Sequence, residues 1–117
     1  MTKNIKILII DDEIDTLDFI SYQLQNAGFE VKTALHGRLA LEVLKTFEPR
    51  LILVDFMMPN MNGEEFIRAL RSIEKLKDLP VFISSGISNL SQIYRGIGAN
   101  GFIKKPIGLE DLEKAFN

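Results

Sequence analysis

Hydrophobic positions along the chain fall into two alternating patterns. Short runs rich in β-branched and large apolar residues stand at 5–10, 30–34, 51–54, 81–84 and 101–103. Between them apolar residues recur three and four apart, as in Leu17, Ile20, Leu24 and Ala27, then Ala40, Val43, Leu44 and Phe47. Phe66, Leu70 and Ile73 repeat the spacing, followed by Leu90, Ile93 and Ile97, and last by Leu109, Leu112 and Phe116. The first pattern suits strands and the second amphipathic helices. Gly28 closes the first helical segment, Pro49 stops the second, Pro80 precedes the fourth strand, and Pro106 with Gly108 leads into the last helix.

The order is strand then helix, five times over. Ile7-Leu8-Ile9-Ile10 and Leu51-Ile52-Leu53-Val54 are apolar without interruption, the mark of strands buried on both faces. The expected fold is α/β, a three-layer sandwich with a parallel sheet between helices, and residues 1–117 are expected to form one domain. Apart from the strand–helix alternation there is no repeat, linker or low-complexity tract.

Composition then removes several classes of chemistry. A net charge of -2 gives no electrostatic case for nucleic acid or an anionic membrane surface. With no cysteine, and His36 as the sole histidine, any metal site must be built from oxygen ligands, which favours magnesium or calcium over zinc. The apolar run at 5–10 is too short for a signal peptide or a membrane span, so a soluble, cytoplasmic protein is expected.

In sheets of this class ligands gather outside the carboxyl ends of the strands. Asp11, Asp12 and Glu13 follow the first strand, Asp55 the third, Ser84 and Ser85 come at the end of the fourth with Ser84 as its last residue, and Lys104 and Lys105 follow the fifth. Carboxylates from two strands meeting at one edge repel one another and call for a compensating cation. Magnesium suits hard oxygen ligands, keeps waters and needs few protein carboxylates. With a lysine ammonium and a serine hydroxyl added, the set describes a phosphoryl-transfer site. Taken singly, each feature has a plainer explanation. Asp11-Asp12 could be acids at a helix start, Asp55 a loop residue, Ser84-Ser85-Gly86 a turn, and Lys105 a solvated lysine before a proline. Their joint placement at one sheet edge is what those explanations do not predict.

The stretches ILIIDDE (7–13), LILVDFMMPNMNG (51–63), LPVFISSG (79–86) and GANGFIKKPI (98–107), in this order, resemble the receiver domain of two-component response regulators along essentially the whole chain. The resemblance implies a flavodoxin-like strand order 2-1-3-4-5 and phosphorylation by a histidine kinase or a histidine phosphotransfer domain. Asp55 resembles the phospho-accepting aspartate. Asp12 resembles the acid that ligates Mg²⁺ directly, Asp11 its partner acting partly through water, and Met57 the residue whose backbone carbonyl reaches the metal. Ser85, five residues after Pro80, stands where the family has its switch Ser or Thr, and Phe102 where it has the switch aromatic. Lys105, directly before Pro106, resembles the phosphate-binding lysine and leaves Lys104 as a solvated neighbour. Two departures are small: Asn62 stands where Asp often precedes the loop glycine, and Gly86 follows the switch serine where Ala is usual. Neither removes a catalytic group. His36 is expected as a surface loop residue.

Under this resemblance Asp55 attacks a partner's phosphohistidine, and Lys105 pairs with an oxygen of the product. Ser85 and Phe102 then shift the surface of the fourth helix, fifth strand and fifth helix toward a downstream effector or a homodimer. The chain would catalyse only its own phosphorylation and dephosphorylation. Met57 and Ile87 are apolar at positions flanking the path of hydrolytic water, which implies a long-lived phosphorylated form. One rival is a phosphohydrolase with an aspartyl-phosphate intermediate, which generally has a second acid where Met57 stands. Another is a pseudo-receiver binding module, for which loss of Asp55 or Lys105 would argue; both are present. The last segment ends at Asn117, leaving open a stand-alone protein or a piece of a hybrid kinase or larger regulator.

Overall fold

The uninterrupted apolar runs become the middle of a sheet. In the computed structural model, which describes residues 5–58, 61–86 and 94–115, five parallel strands lie in the order β2-β1-β3-β4-β5. They are β1 (Lys6–Ile10), β2 (Glu30–Ala34), β3 (Leu51–Asp55), β4 (Val81–Ser85) and β5 (Gly101–Lys104). This is the flavodoxin-like order, with the strand direction of travel reversing beside β1. β1 and β3 are the strands with no polar face, and helices cover both their sides. The outer strands are more polar: Glu30, Lys32 and Thr33 are exposed on β2, and β5 alternates buried and exposed residues.

The helices are α1 (Ile14–Asn26), α2 (Gly37–Val43), α3 (Gly63–Arg71) and α4 (Leu109–Ala115), with a 3-10 turn at Tyr94–Ile97. Leu17, Ile20 and Leu24 of α1 and Leu112 of α4 pack on Ile7, Ile9, Leu51 and Leu53. Ala40 of α2 and Phe66, Ile67 and Leu70 of α3 pack on Leu8, Ile10, Ile52 and Val54 on the other face. Among the described residues no helix is long and apolar enough to cross a membrane.

Three strands run one residue past the apolar pattern. Asp55 pairs in register with Ser84, and Ser85 with Lys104, so the ladder continues into polar residues where hydrophobicity has already ended. The second helix is shorter than its apolar spacing: it ends at Val43, and turns then carry the chain to Phe47, which is buried all the same. Leu90 and Ile93 of the expected fourth helix, and Phe116 of the last, lie outside the described residues, while Ile97 closes the 3-10 turn.

Two local features set the loops near the carboxyl edge. Asn62 caps α3 through a capping box: its side chain accepts from Glu65 N at 2.9 Å, and the Glu65 carboxylate accepts from Asn62 N at 3.0 Å. Gly63 follows in close contact with the end of β3, where an added Cβ would meet Phe56 Cα at 2.9 Å and the Asp55 carbonyl oxygen at 3.0 Å. His36, expected as a surface loop residue, is half-buried and caps α2, its Nδ1 accepting from Leu39 N at 3.3 Å.

Candidate functional site

β1 delivers Asp11 and Asp12 to the carboxyl edge, and the neighbouring β3 ends on Asp55. Asp11 and Asp55 are 2% and 5% exposed, against an exposed Asp12. Each of the three acids brings one carboxylate oxygen within 4.8 Å of the other two. The backbone helps to hold them: Asp11 Oδ1 accepts from Glu13 N at 3.0 Å, and Asp55 Oδ1 accepts from Met57 N at 3.2 Å. Asp11 does not cap α1; the N-cap residue is Glu13 and makes no side-chain cap.

The outer strand β5 supplies the counter-charge. Lys105 donates to Asp11 Oδ2 at 2.9 Å, and its Nζ lies 3.4 Å from Asp55 Oδ2. Its backbone N–H bonds to Ser85 O at 2.9 Å, and the Lys105–Pro106 peptide is cis. Lys104 is exposed. Ser84 and Ser85 are both buried; Ser84 stands level with Asp55, while Ser85 lies on the other face of β4, the face that also carries Phe102 of β5. Met57 is 61% exposed, and Phe102 is exposed. Ile87 lies outside the described residues.

Electrostatics sets what this cluster can do. Burial pushes the Asp55 carboxyl up to about 6, and the Asp11 charge adds to that push while Lys105 and the Met57 N–H oppose it. Burial works against the Lys105 ammonium, yet its hydrogen bond to Asp11 and the charges of Asp55 and Asp11 raise it overall. Three carboxylates face one ammonium, so the site lacks two positive charges when fully ionised. The donor set is oxygen only and partly exposed through Asp12, which fits a small hard divalent cation that retains water. Beside Lys105 a groove of about 500 Å³ runs between α1 and the turn after β5, lined by Thr16, Phe19, Ile20, Pro106 and Ile107.

The reading from sequence located the acids and lysine at this edge but assigned no separate role to Gly63. Its only signal was the motif glycine after Asn62, and its need becomes visible in the contact with the Asp55 backbone.

Comparisons with known proteins agree with this topology. A family model described as the response regulator receiver domain matches residues 7–117. A probable transcriptional regulatory protein of Salmonella typhimurium, SilR, is 34% identical over 109 residues, 92% of this chain and 47% of its own length. The DNA-binding regulator RpaA of Synechocystis is 30% identical, over 92% of this chain and 45% of its own. The chain thus spans about half the length of these curated relatives. Among solved structures, the chemotaxis response regulator CheY4 of Vibrio cholerae superposes with a TM-score of 0.88 at 31% identity, covering 97% of this chain and 99% of its own. TrrA of Thermotoga maritima, solved in complex with Mg(2+)-BeF, superposes at 0.82 with 25% identity over 96% of each chain. With its sheet order, its edge of acids and lysine and the matching family model, this chain belongs to the response regulator receiver domains of two-component signalling, which are signalling modules rather than classical enzymes.

Proposed function

We propose that this chain receives a phosphoryl group on Asp55 from a phosphohistidine of a histidine kinase or phosphotransfer domain. The observation that carries the proposal is the buried Asp55 carboxylate held beside both Lys105 and Asp11 in a site short of positive charge. One Asp55 oxygen attacks phosphorus and forms an acyl phosphate. The P–N bond of the donor breaks, and its electron pair returns to the imidazole nitrogen, which is then neutral or takes a proton from solvent. Lys105, already between the two acids, pairs with an oxygen of the transferred group.

Asp11, Asp12 and Asp55 would hold magnesium, with the Met57 backbone carbonyl as a further ligand. When bound, that ion supplies charge neutralisation at the phosphoryl oxygens. Ser85, buried at the end of β4, donates its hydroxyl to the phosphoryl group, and Phe102 on the same sheet face responds. The changed surface, built from β5, α4 and the segment before β5, engages an effector in the cytoplasm. The regulator architecture of the relatives supports an effector of that kind. Exposed Ile14 and Phe19, with the groove beside Lys105, offer an apolar approach for the donor protein.

Incubation with acetyl phosphate and Mg²⁺ should label the wild type with acid-labile phosphate, and Asp55→Asn should take up none while keeping its circular dichroism. Acid-stable label persisting in Asp55→Asn would move the chemistry to a serine and overturn the proposal. Hydrolysis of the product needs a positioned water, and the exposed Met57 side chain cannot orient one. Met57→Asn is therefore expected to shorten the half-life of the phosphorylated form several-fold, measured by loss of label. An unchanged half-life would show that Met57 does not border the water path.

A further inference from the structure

β5 leads directly into the lysine of the site, yet it is the shortest of the five strands and lies at the sheet edge. It has four residues, two of them buried, and one neighbouring strand to hold it. A one-residue slip would present Lys104 or Pro106 to Ser85 O in place of Lys105. The first would bring a lysine but put Phe102 in the buried place of Ile103, and the second has no N–H to donate. What holds the register lies at the far end of the strand.

Arg71, the last residue of α3, spends all its guanidinium donors there. Nε and Nη2 donate to Gly98 O at 3.2 and 3.0 Å, Nη1 to Lys77 O and Leu79 O at 2.8 and 2.7 Å, and Nη2 also to Asn100 Oδ1 at 3.0 Å. Asn100 closes a reciprocal pair with β4: its N–H bonds to Val81 O at 2.7 Å, and its Oδ1 accepts from Val81 N at 2.9 Å. The next residue, Gly101, faces the Phe82 ring so closely that an added Cβ would sit 2.7 Å from it, so Asn100 or Phe102 could take its place only if that ring moved.

We infer that Arg71 and Asn100 are positioning residues that lock the register of β5 and so hold Lys105 against the acids of β1 and β3. This rests on the acceptor reading of the site and extends it to two residues that touch neither phosphoryl group nor metal ligand. Arg71 provides the planar fork and Asn100 the acceptor oxygen; a lysine or an alanine provides neither.

The test uses calorimetric titration of the whole chain with Mg²⁺ alone, which reads the acids, and with beryllofluoride at saturating Mg²⁺, which also reads Lys105. Asn100→Ala should weaken beryllofluoride binding by about tenfold and leave Mg²⁺ affinity within about twofold. Asn100→Asp, which keeps the acceptor oxygen, should restore binding, and exchange of the Lys105 amide should quicken only in Asn100→Ala. If Asn100→Ala does not fold, Arg71→Lys carries the same comparison. Beryllofluoride binding equal to wild type, or an equal loss of both affinities, would overturn the inference while leaving the acceptor site standing. A wild type that binds no beryllofluoride would overturn both.

Discussion

Lys105→Met should lower phosphoryl uptake from acetyl phosphate by about a hundredfold, whereas Lys104→Met should leave it nearly unchanged. The two lysines are adjacent, but only Lys105 turns into the site, 2.9 Å from Asp11 and 3.4 Å from Asp55. Methionine keeps most of the stem volume and removes the ammonium, so the loss isolates charge from packing. It acts twice on the reaction. The transferred phosphoryl oxygens lose a preorganised donor, and Asp55 loses the cation that opposes its upward shift, so less of it is ionised and nucleophilic. Initial rates of label incorporation at fixed Mg²⁺ measure the effect. Equal rates in wild type and Lys105→Met would show that the ammonium serves the resting protein and not the transfer.

The second large effect is on stability, and its sign is opposite to that of most substitutions at buried sites. Asp55→Asn should stabilise the metal-free protein at about pH 8 by about 1–3 kcal/mol. The Asp55 carboxyl titrates at about 6 in the folded protein against 3.8 for an ordinary aspartate, because burial and the Asp11 charge penalise the anion. Between those two values the folded form keeps a proton that the unfolded chain has released. Stability therefore falls as pH rises through that window, and the cost is complete above it. Asparagine does not titrate, so its advantage should fade as pH falls toward about 4. The range allows for solvent reaching the site through Asp12 and for the altered contact with Lys105. Urea unfolding at several pH values measures it. Added Mg²⁺ should stabilise the wild type and much less the variant, narrowing the gap. A variant less stable than wild type at pH 8 would mean that the Lys105 attraction outweighs burial at Asp55.

Much of this site was legible because its chemistry stands where apolar runs stop. Asp11 and Asp12 directly follow Ile10, Asp55 follows Val54 and Lys104-Lys105 follow Ile103, so locating the strands located the charges. Less visible was that Asp55, Ser85 and Lys104 are themselves strand residues; pairing across the ladder extends an element past the point where hydrophobicity reports it. Helix ends were harder. Phe47 keeps helical spacing and is buried, yet it reaches the core from a turn. The cap made by His36 leaves no distinctive mark in sequence, since its ring nitrogen merely stands in for a commoner capping oxygen. Arg71 was hidden for a different reason. Its acceptors are the carbonyls of Lys77, Leu79 and Gly98 and the amide of Asn100, and a carbonyl carries no side-chain signature. In the sequence Arg71 is only a basic residue in the last turn of a helix, a common and weakly informative placement.

The central claim is that the phosphoryl group resides on the carboxylate of Asp55, and chemical trapping tests it most directly. Borohydride reduces an aspartyl phosphate to homoserine, which peptide mass spectrometry can place on the chain. After incubation with acetyl phosphate and Mg²⁺, the account predicts homoserine at position 55, with aspartate retained at Asp11 and Asp12. Homoserine at Asp12, or a borohydride-resistant phosphate on Ser84 or Ser85, would contradict it.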